Sequence, residues 1–292
     1  MNNKLLNKIH ENEAYQKEIF VGGGENPFKC INELLIVLIN AIEEKKPYSM
    51  VRLGDGEGRI LGYPLVFDDR VYVNQVLTYQ FGRGVLKRLE VEFGERYLEC
   101  SMSELKGFII NAISNADVIG APSWLHFRAE VTEENIVPLA AQSVCLEYVK
   151  PEHDRGCLVF DHFVFKPFHQ NGFFKQLLSH VDKLHIVSHT DISDRIKEHF
   201  NLKDCEHIKI PGHQSFMDTK ELHYPVVYKD ILKKLAMASQ GDVYFVAAGY
   251  LGKHYCNHIK NSGGIAIDIG SIFDGWCGIG RTDSIKNVDQ RI

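Results

Sequence analysis

Two short strings carry the residue types that act on charged substrates. The first is Arg52-Leu-Gly-Asp55-Gly-Glu57. It sets an arginine and two carboxylates in a glycine-rich stretch after a strand-like run, and Gly54, Gly56 and Gly58 open backbone conformations closed to other residues. In an extended stretch, positions i and i+2 point the same way, so Asp55 and Glu57 are expected to face one ligand. Carboxylate oxygens suit Mg²⁺ or Mn²⁺, which bridge to substrate phosphates and keep some water. Arg52 can pair with a carboxylate or grip a phosphate as a rigid fork. The plain alternative is a solvated Asp-Gly turn. The composition of the whole string, at a strand end, favours a site.

The second string is Ala247-Ala-Gly249-Tyr-Leu-Gly252-Lys253, in which a strand runs into a helix start. A helix start offers free N–H groups and the positive end of a dipole, both suited to phosphate. The next strand ends at Asp268, 268 − 249 = 19 residues after the first glycine. A dinucleotide fingerprint has a similar layout, with an acid that binds ribose hydroxyls. Here Ala247 stands where its first glycine belongs, and Lys253-His254 with this glycine spacing does not make a Walker A loop. The string reads as a nucleotide-diphosphate or ribose site of no fixed type. The competing reading is that the glycines only allow close helix–strand packing.

A catalytic base is less defined. Asp161 and His162 follow a predicted strand and are the first candidates; His189 with Asp191, then His213, come next. Histidine has a suitable pKa for such work, but the chain has 14 histidines and most must be structural or exposed. His254 and His258, four apart on a predicted helix, can share one face, yet no third ligand is evident and a solvated helix face is the simpler reading. Trp276 can stack on a base or sugar, or cap the core. Phe160, Phe163, Phe165, Phe168, Phe173 and Phe174 can line an acceptor groove, with core packing the default.

The elements that must hold these residues alternate. Strands are predicted at 48–53, 117–122 (ending in a turn), 157–160, 183–188, 206–210, 242–247 and 264–268. Helices are predicted at 28–45, 74–92, 103–115, 135–149, 191–200, 225–239 and 250–261. Strands separated by helices imply crossovers, hence an α/β fold: a Rossmann-like, mostly parallel sheet with helices on both faces. In such sheets ligands sit beyond the carboxyl ends of the strands, where both strings fall.

Composition sets the outer bounds. The 292 residues carry 33 Lys+Arg and 38 Asp+Glu, a net charge of −5, with 45% hydrophobic residues. That excludes a disordered chain, and without a long basic run no nucleic-acid partner is expected. Residues 1–19 contain no unbroken apolar stretch, and Leu34–Ile42 is too short to span a bilayer. The expectation is a soluble cytoplasmic protein without a transmembrane segment, peripheral membrane association staying open. The seven cysteines form no C-x-x-C pair and are read as free thiols. The organisation expected is an N-terminal extension over 1–27 and one domain over 28–285.

Together the strings resemble the GT-D-fold glycosyltransferases, a family once known only as a domain of unknown function. The resemblance spans roughly residues 30–280. It rests on Arg52-Leu-Gly-Asp55-Gly-Glu57 near the N-terminus, and on Val243 to Gly252 followed by Ile267-Asp268-Ile-Gly270 near the C-terminus. It implies a nucleotide-sugar donor such as UDP-glucose, a Mn²⁺ or Mg²⁺ cofactor on Asp55 and Glu57, and a glycan or glycoprotein acceptor in cell-surface polysaccharide or glycoprotein synthesis. Asp55 and Glu57, with Asp161 and His162, are then the catalytic candidates. Arg52, Gly54, Gly56, Gly249, Gly252, Lys253, Asp268 and Ser271 are the donor-binding ones. One departure is Ser271, where the family pattern Asp-Ile-Gly-His has histidine. The rivals are an NAD-dependent oxidoreductase, suggested by Gly249, Gly252 and Asp268, and a non-catalytic nucleotide-sugar binder, suggested by Ser271.

Overall fold

A computed structural model describes residues 3–11, 27–82, 84–123, 127, 130–162, 172–212 and 221–278. Its centre is a seven-stranded sheet of order β3-β2-β1-β7-β6-β4-β5. The strands are β1 (Tyr48–Arg52), β2 (Val118–Ala121), β3 (Leu158–Asp161), β4 (Lys183–Ser188), β5 (Asp204–Lys209), β6 (Val243–Val246) and β7 (Ile265–Asp268), and every pairing is parallel. The helices are α1 (Asn3–Glu11), α2 (Pro27–Glu43), α3 (Asp55–Leu61), α4 (Arg70–Phe81), α5 (Val85–Phe93), α6 (Tyr97–Asn115), α7 (Ile136–Asp154), α8 (Phe173–Leu178), α9 (Ser193–Phe200), α10 (Tyr228–Leu235), α11 (Gly249–Asn261) and α12 (Ile272–Trp276).

A parallel sheet is buried on both faces, and the strand residues sort accordingly. Val51, Ile119, Val159, Val246 and Ala266 enter a core built with α1, α3 to α7, α10 and α11. Met50, Val118, Phe160, Phe245 and Ile267 enter a second core with α2, α8, α9 and α12. The α/β architecture with helices on both faces is therefore as expected. Helix α1, inside the expected extension, packs onto α7: Leu5 and Ile9 are buried, and Lys8 Nζ meets Glu147 Oε1 at 2.7 Å. Cys100, Cys145, Cys157, Cys205, Cys256 and Cys277 are free. Among the described residues no helix is long and apolar enough to cross a membrane.

Two differences from the sequence reading bear on the site. The single helix expected over 74–92 is two, α4 and α5, because the chain turns at Gly82, with φ +95°, before Gly84 caps α5. The stretch expected to be an extended turn from Gly54 is instead the start of α3, with Asp55 and Glu57 in its first turn. The cause is local. Carboxylates are favoured beside free N–H groups at a helix start, and Glu57 Oε2 reaches back to accept the Gly54 N–H at 2.8 Å.

Candidate functional site

The first string leaves β1 and the second leaves β6, and only β7 lies between them, so both strings start at the carboxyl ends of close parallel strands. There a buried charge cluster forms. Lys253 Nζ lies 2.7 Å from Glu57 Oε1 and 3.1 Å from Asp268 Oδ2, and donates to Gly249 O at 3.3 Å. Asp268 Oδ2 also accepts the Arg52 N–H at 3.3 Å, and Arg52 Nη1 donates to Ile269 O at 2.9 Å. Burial works against charge on Lys253, but Asp268 and Glu57 outweigh it, so the ammonium's pKa is raised and it stays charged. One lysine thus ties α3, α11 and β7 together.

In front of this cluster lies a cleft of about 540 Å³, within the range of small-molecule sites. Its floor is the first turn of α3, Gly54 to Glu57, with Arg59; one wall is Tyr72, Gln75, Val76, Tyr79 and Gln80 of α4; Tyr250 closes it from α11. The glycines permit this closeness. A Cβ on Gly56 would stand 2.5 Å from the Tyr250 ring, and Gly249, with φ +54°, has Gln80 Nε2 only 2.1 Å from where a Cβ would be. Arg59 Nη2 holds Asp55 Oδ2 at 2.8 Å, and its guanidinium lies 5.4 Å from the Tyr72 ring centre. Burial pushes the Tyr72 phenol up to about 12, which keeps it a hydrogen-bond donor at neutral pH.

Of the residues singled out from sequence, Arg52, Glu57, Lys253 and Asp268 come together in the buried cluster, and Gly54, Asp55 and Gly56 line the cleft with Glu57. Asp55 and Glu57 do not face one ligand as expected. On a helix, positions i and i+2 diverge, and Glu57 turns inward to Lys253 while Asp55 is held by Arg59 at the cleft. Asp268 is 2% exposed and engaged by Lys253 and Arg52, so it is not presented to ribose hydroxyls. Gly252 has only ordinary neighbours, Val246 and Ala248, and Ser271 is exposed before α12. Asp161 and His162 end β3, beyond β2 from β1; Asp161 accepts the Ser123 hydroxyl at 2.6 Å, and neither residue lines the cleft.

The remaining candidates are accounted for by packing. His189 lies 3.9 Å from Asp274, whose carboxyl burial pushes up to about 7. Asp191 accepts from the Ser193 hydroxyl at the start of α9. His254 is not on a solvated face: its ring stacks on Phe108 at 3.9 Å between α6 and α11, and burial takes its pKa down to about 4. Trp276 is buried against Phe174, at 5.0 Å, and does not reach the cleft. Phe160, Phe173 and Phe174 are core residues. His213, Phe163, Phe165 and Phe168 lie outside the described residues. Sequence reasoning missed the α4 wall, Arg59 and Tyr250. The signal was available as Tyr72, Gln75, Val76 and Tyr79 at i, i+3, i+4 and i+7.

The donor set does not fit a resident divalent ion on the Asp55–Glu57 pair. Both Glu57 oxygens are taken, by Lys253 and by the Gly54 N–H, and the two carboxylates diverge. Among the described residues no three His, Cys, Asp or Glu side chains are grouped to hold a metal.

An all-parallel α/β sheet, with two glycine-rich strand ends joined at a cleft, defines a ligand-binding fold of the doubly wound type. The chain belongs to the GT-D fold-like domain family, which matches residues 31–276. Three solved structures are similar to it. One is a selenomethionine-substituted domain of unknown function 1792, at 14% identity over 85% of this chain and 83% of that one, TM-score 0.48. Another, described as that domain with a distinct glycosyltransferase fold, has 13% identity over 87% and 88%, TM-score 0.48. A third, described as a new glycosyltransferase of this type from Streptococcus sanguinis, has 15% identity over 88% and 92%, TM-score 0.48. No curated protein matches.

Proposed function

We propose that the chain is a glycosyltransferase that moves a sugar from a nucleotide-sugar donor, a UDP-sugar in the first instance, to a glycan or glycoprotein acceptor. The observation that supports this is the convergence of the two strings at one cleft, with Lys253 between Glu57 and Asp268 behind it. Membership of the GT-D fold-like family supports the same reaction class.

Sugar transfer requires a rigidly held donor, stabilisation of the departing diphosphate, and removal of the acceptor's proton. Rigidity comes from the buried cluster: Lys253 and Glu57 lock the first turn of α3 in place. Asp55 presents a half-exposed carboxylate at the cleft, and Arg59, within hydrogen-bond distance of it, can turn toward a phosphate. Were a divalent ion to accompany the diphosphate, Asp55 is the residue that would hold it, and the ion would supply charge neutralisation of the leaving group. The buried state of Asp268 counts against the dinucleotide reading, in which that acid must reach ribose.

The test is donor hydrolysis across a panel of nucleotide sugars, each with and without Mn²⁺, alongside calorimetry with NAD. Hydrolysis of one donor, reduced at least about tenfold by Asp55→Asn, is the expected result. NAD binding indifferent to metal, with no response to any nucleotide sugar, would overturn it.

A further inference from the structure

Helix α4 has two faces of different chemistry. Val73, Leu77 and Phe81 are buried in the core. The face toward the cleft holds Tyr72, Gln75, Tyr79 and Gln80. Between Val71 and Phe81 the helix has no Asp, Glu, Lys or Arg, in a chain with 24% charged residues. An outward helix face usually carries charge. This one instead carries two phenol rings and two primary amides.

That set suits a neutral ligand rich in hydroxyls. A tyrosine ring offers a flat apolar surface to the C–H face of a sugar ring and a polar tip at its edge. Each glutamine amide offers donors and an acceptor, which can bracket neighbouring hydroxyls. Tyr79 is 39% exposed, more than the other two rings of the cleft, Tyr72 and Tyr250. Among the described residues α4 supplies no cation to the cleft; Arg59, paired with Asp55 on α3, reaches to within 5.4 Å of the Tyr72 ring centre.

We propose that the α4 wall is the acceptor subsite, binding a neutral pyranose ring on Tyr79 with Gln75 and Gln80 on its hydroxyls. This rests on the glycosyltransferase reading, in which the α3 side of the same cleft takes the donor diphosphate. The arrangement puts the acceptor hydroxyl between the wall and Asp55, where its proton must be removed.

The experiment uses the full-length chain and methyl glycosides of glucose, galactose, N-acetylglucosamine and rhamnose, in both anomers, as probes. Saturation-transfer NMR detects binding, and calorimetry with UDP serves the donor side. The expected result is that at least one glycoside binds, that Tyr79→Ala weakens it about tenfold and Gln75→Ala severalfold, and that Tyr79→Phe retains it. Tyr79→Ala weakens the glycoside by a larger factor than it weakens UDP, the probe of the donor side. No binding of any glycoside overturns the proposal. So does a Tyr79→Ala variant that loses UDP instead, which would make the wall a nucleobase platform. Failure of the wild type to hydrolyse any nucleotide sugar would instead strike the glycosyltransferase reading, independently of the glycoside result.

Discussion

Replacing Lys253 by methionine removes one positive charge from between two carboxylates while keeping most of the side chain's volume. The side chains of Lys253, Glu57 and Asp268 are 8%, 8% and 3% exposed, so the small values typical of surface ion pairs do not apply. Removing one partner from a buried pair costs about 3–5 kcal/mol, because the charge left behind is desolvated and uncompensated. Here two carboxylates are left facing the same space. For a chain of this length that corresponds to a melting temperature lowered by roughly 5–8 °C. The pH dependence has a definite sign. In the variant, like charge and burial raise the folded-state pKa of the Glu57–Asp268 pair above its unfolded value. A group with a raised folded pKa favours the fold at low pH, and that support is lost as pH rises through the raised value. The deficit of Lys253→Met is therefore smaller at pH 5 than at pH 8. Adding Glu57→Gln, which keeps an oxygen for the Gly54 N–H and removes one charge, restores part of the loss. Urea denaturation of the three proteins at both pH values measures all of this. A Lys253→Met variant within about 1 kcal/mol of wild type at pH 8, with no pH trend, would refute the picture of an ionised triad.

Two further outcomes follow from packing and burial. A Cβ on Gly58 would lie 1.8 Å from the Ala141 carbonyl oxygen, so Gly58→Ala must push α3 off α7 and is expected to cost about 3 kcal/mol. Gly107 in α6 has nothing within 4 Å of the same point, and Gly107→Ala should stabilise by about 0.5–1 kcal/mol; urea midpoints of the pair check the contrast. Burial holds His223 down to about 3 and His254 down to about 4. A depressed folded pKa supports the fold above the unfolded value and loses that support as pH falls, so each histidine should remove roughly 1.4 kcal/mol per pH unit below about 6.5. His254→Gln should flatten the fall in stability between pH 6.5 and 4.5 by about one proton's worth, and an unchanged slope would refute the assignment.

The sheet was legible because a parallel strand buried on both faces leaves a short run of apolar residues between helix-like segments. Val243-Tyr-Phe-Val246 and Ile265-Ala-Ile-Asp268 are such runs, and each became a strand. The short helices α3, α8 and α12 were not legible, since five to seven residues span too few turns for an apolar stripe to declare itself. Misreading α3 had the larger consequence. Treating Gly54 to Gly58 as extended put both carboxylates on one side and made a metal pair of them. Two positions along a helix turn them to nearly opposite sides instead, and the partner that claims Glu57 lies 196 positions on, since 253 − 57 = 196. No local pattern announces such a contact.

Seen through that contact, the two strings have one task. Lys253 follows its glycines because the start of α11 must come close enough for an ammonium to reach both Glu57 and Asp268. The glycine at 249 is required by a positive φ and by Gln80. Lys253 and Arg52 are set against Glu57 and Asp268, so the cluster's charges balance and it fixes the floor of the cleft. On the function proposed above, the charge of a ligand meets Asp55 and Arg59 and its neutral hydroxyls meet α4, the line along which a nucleotide sugar and its acceptor would divide.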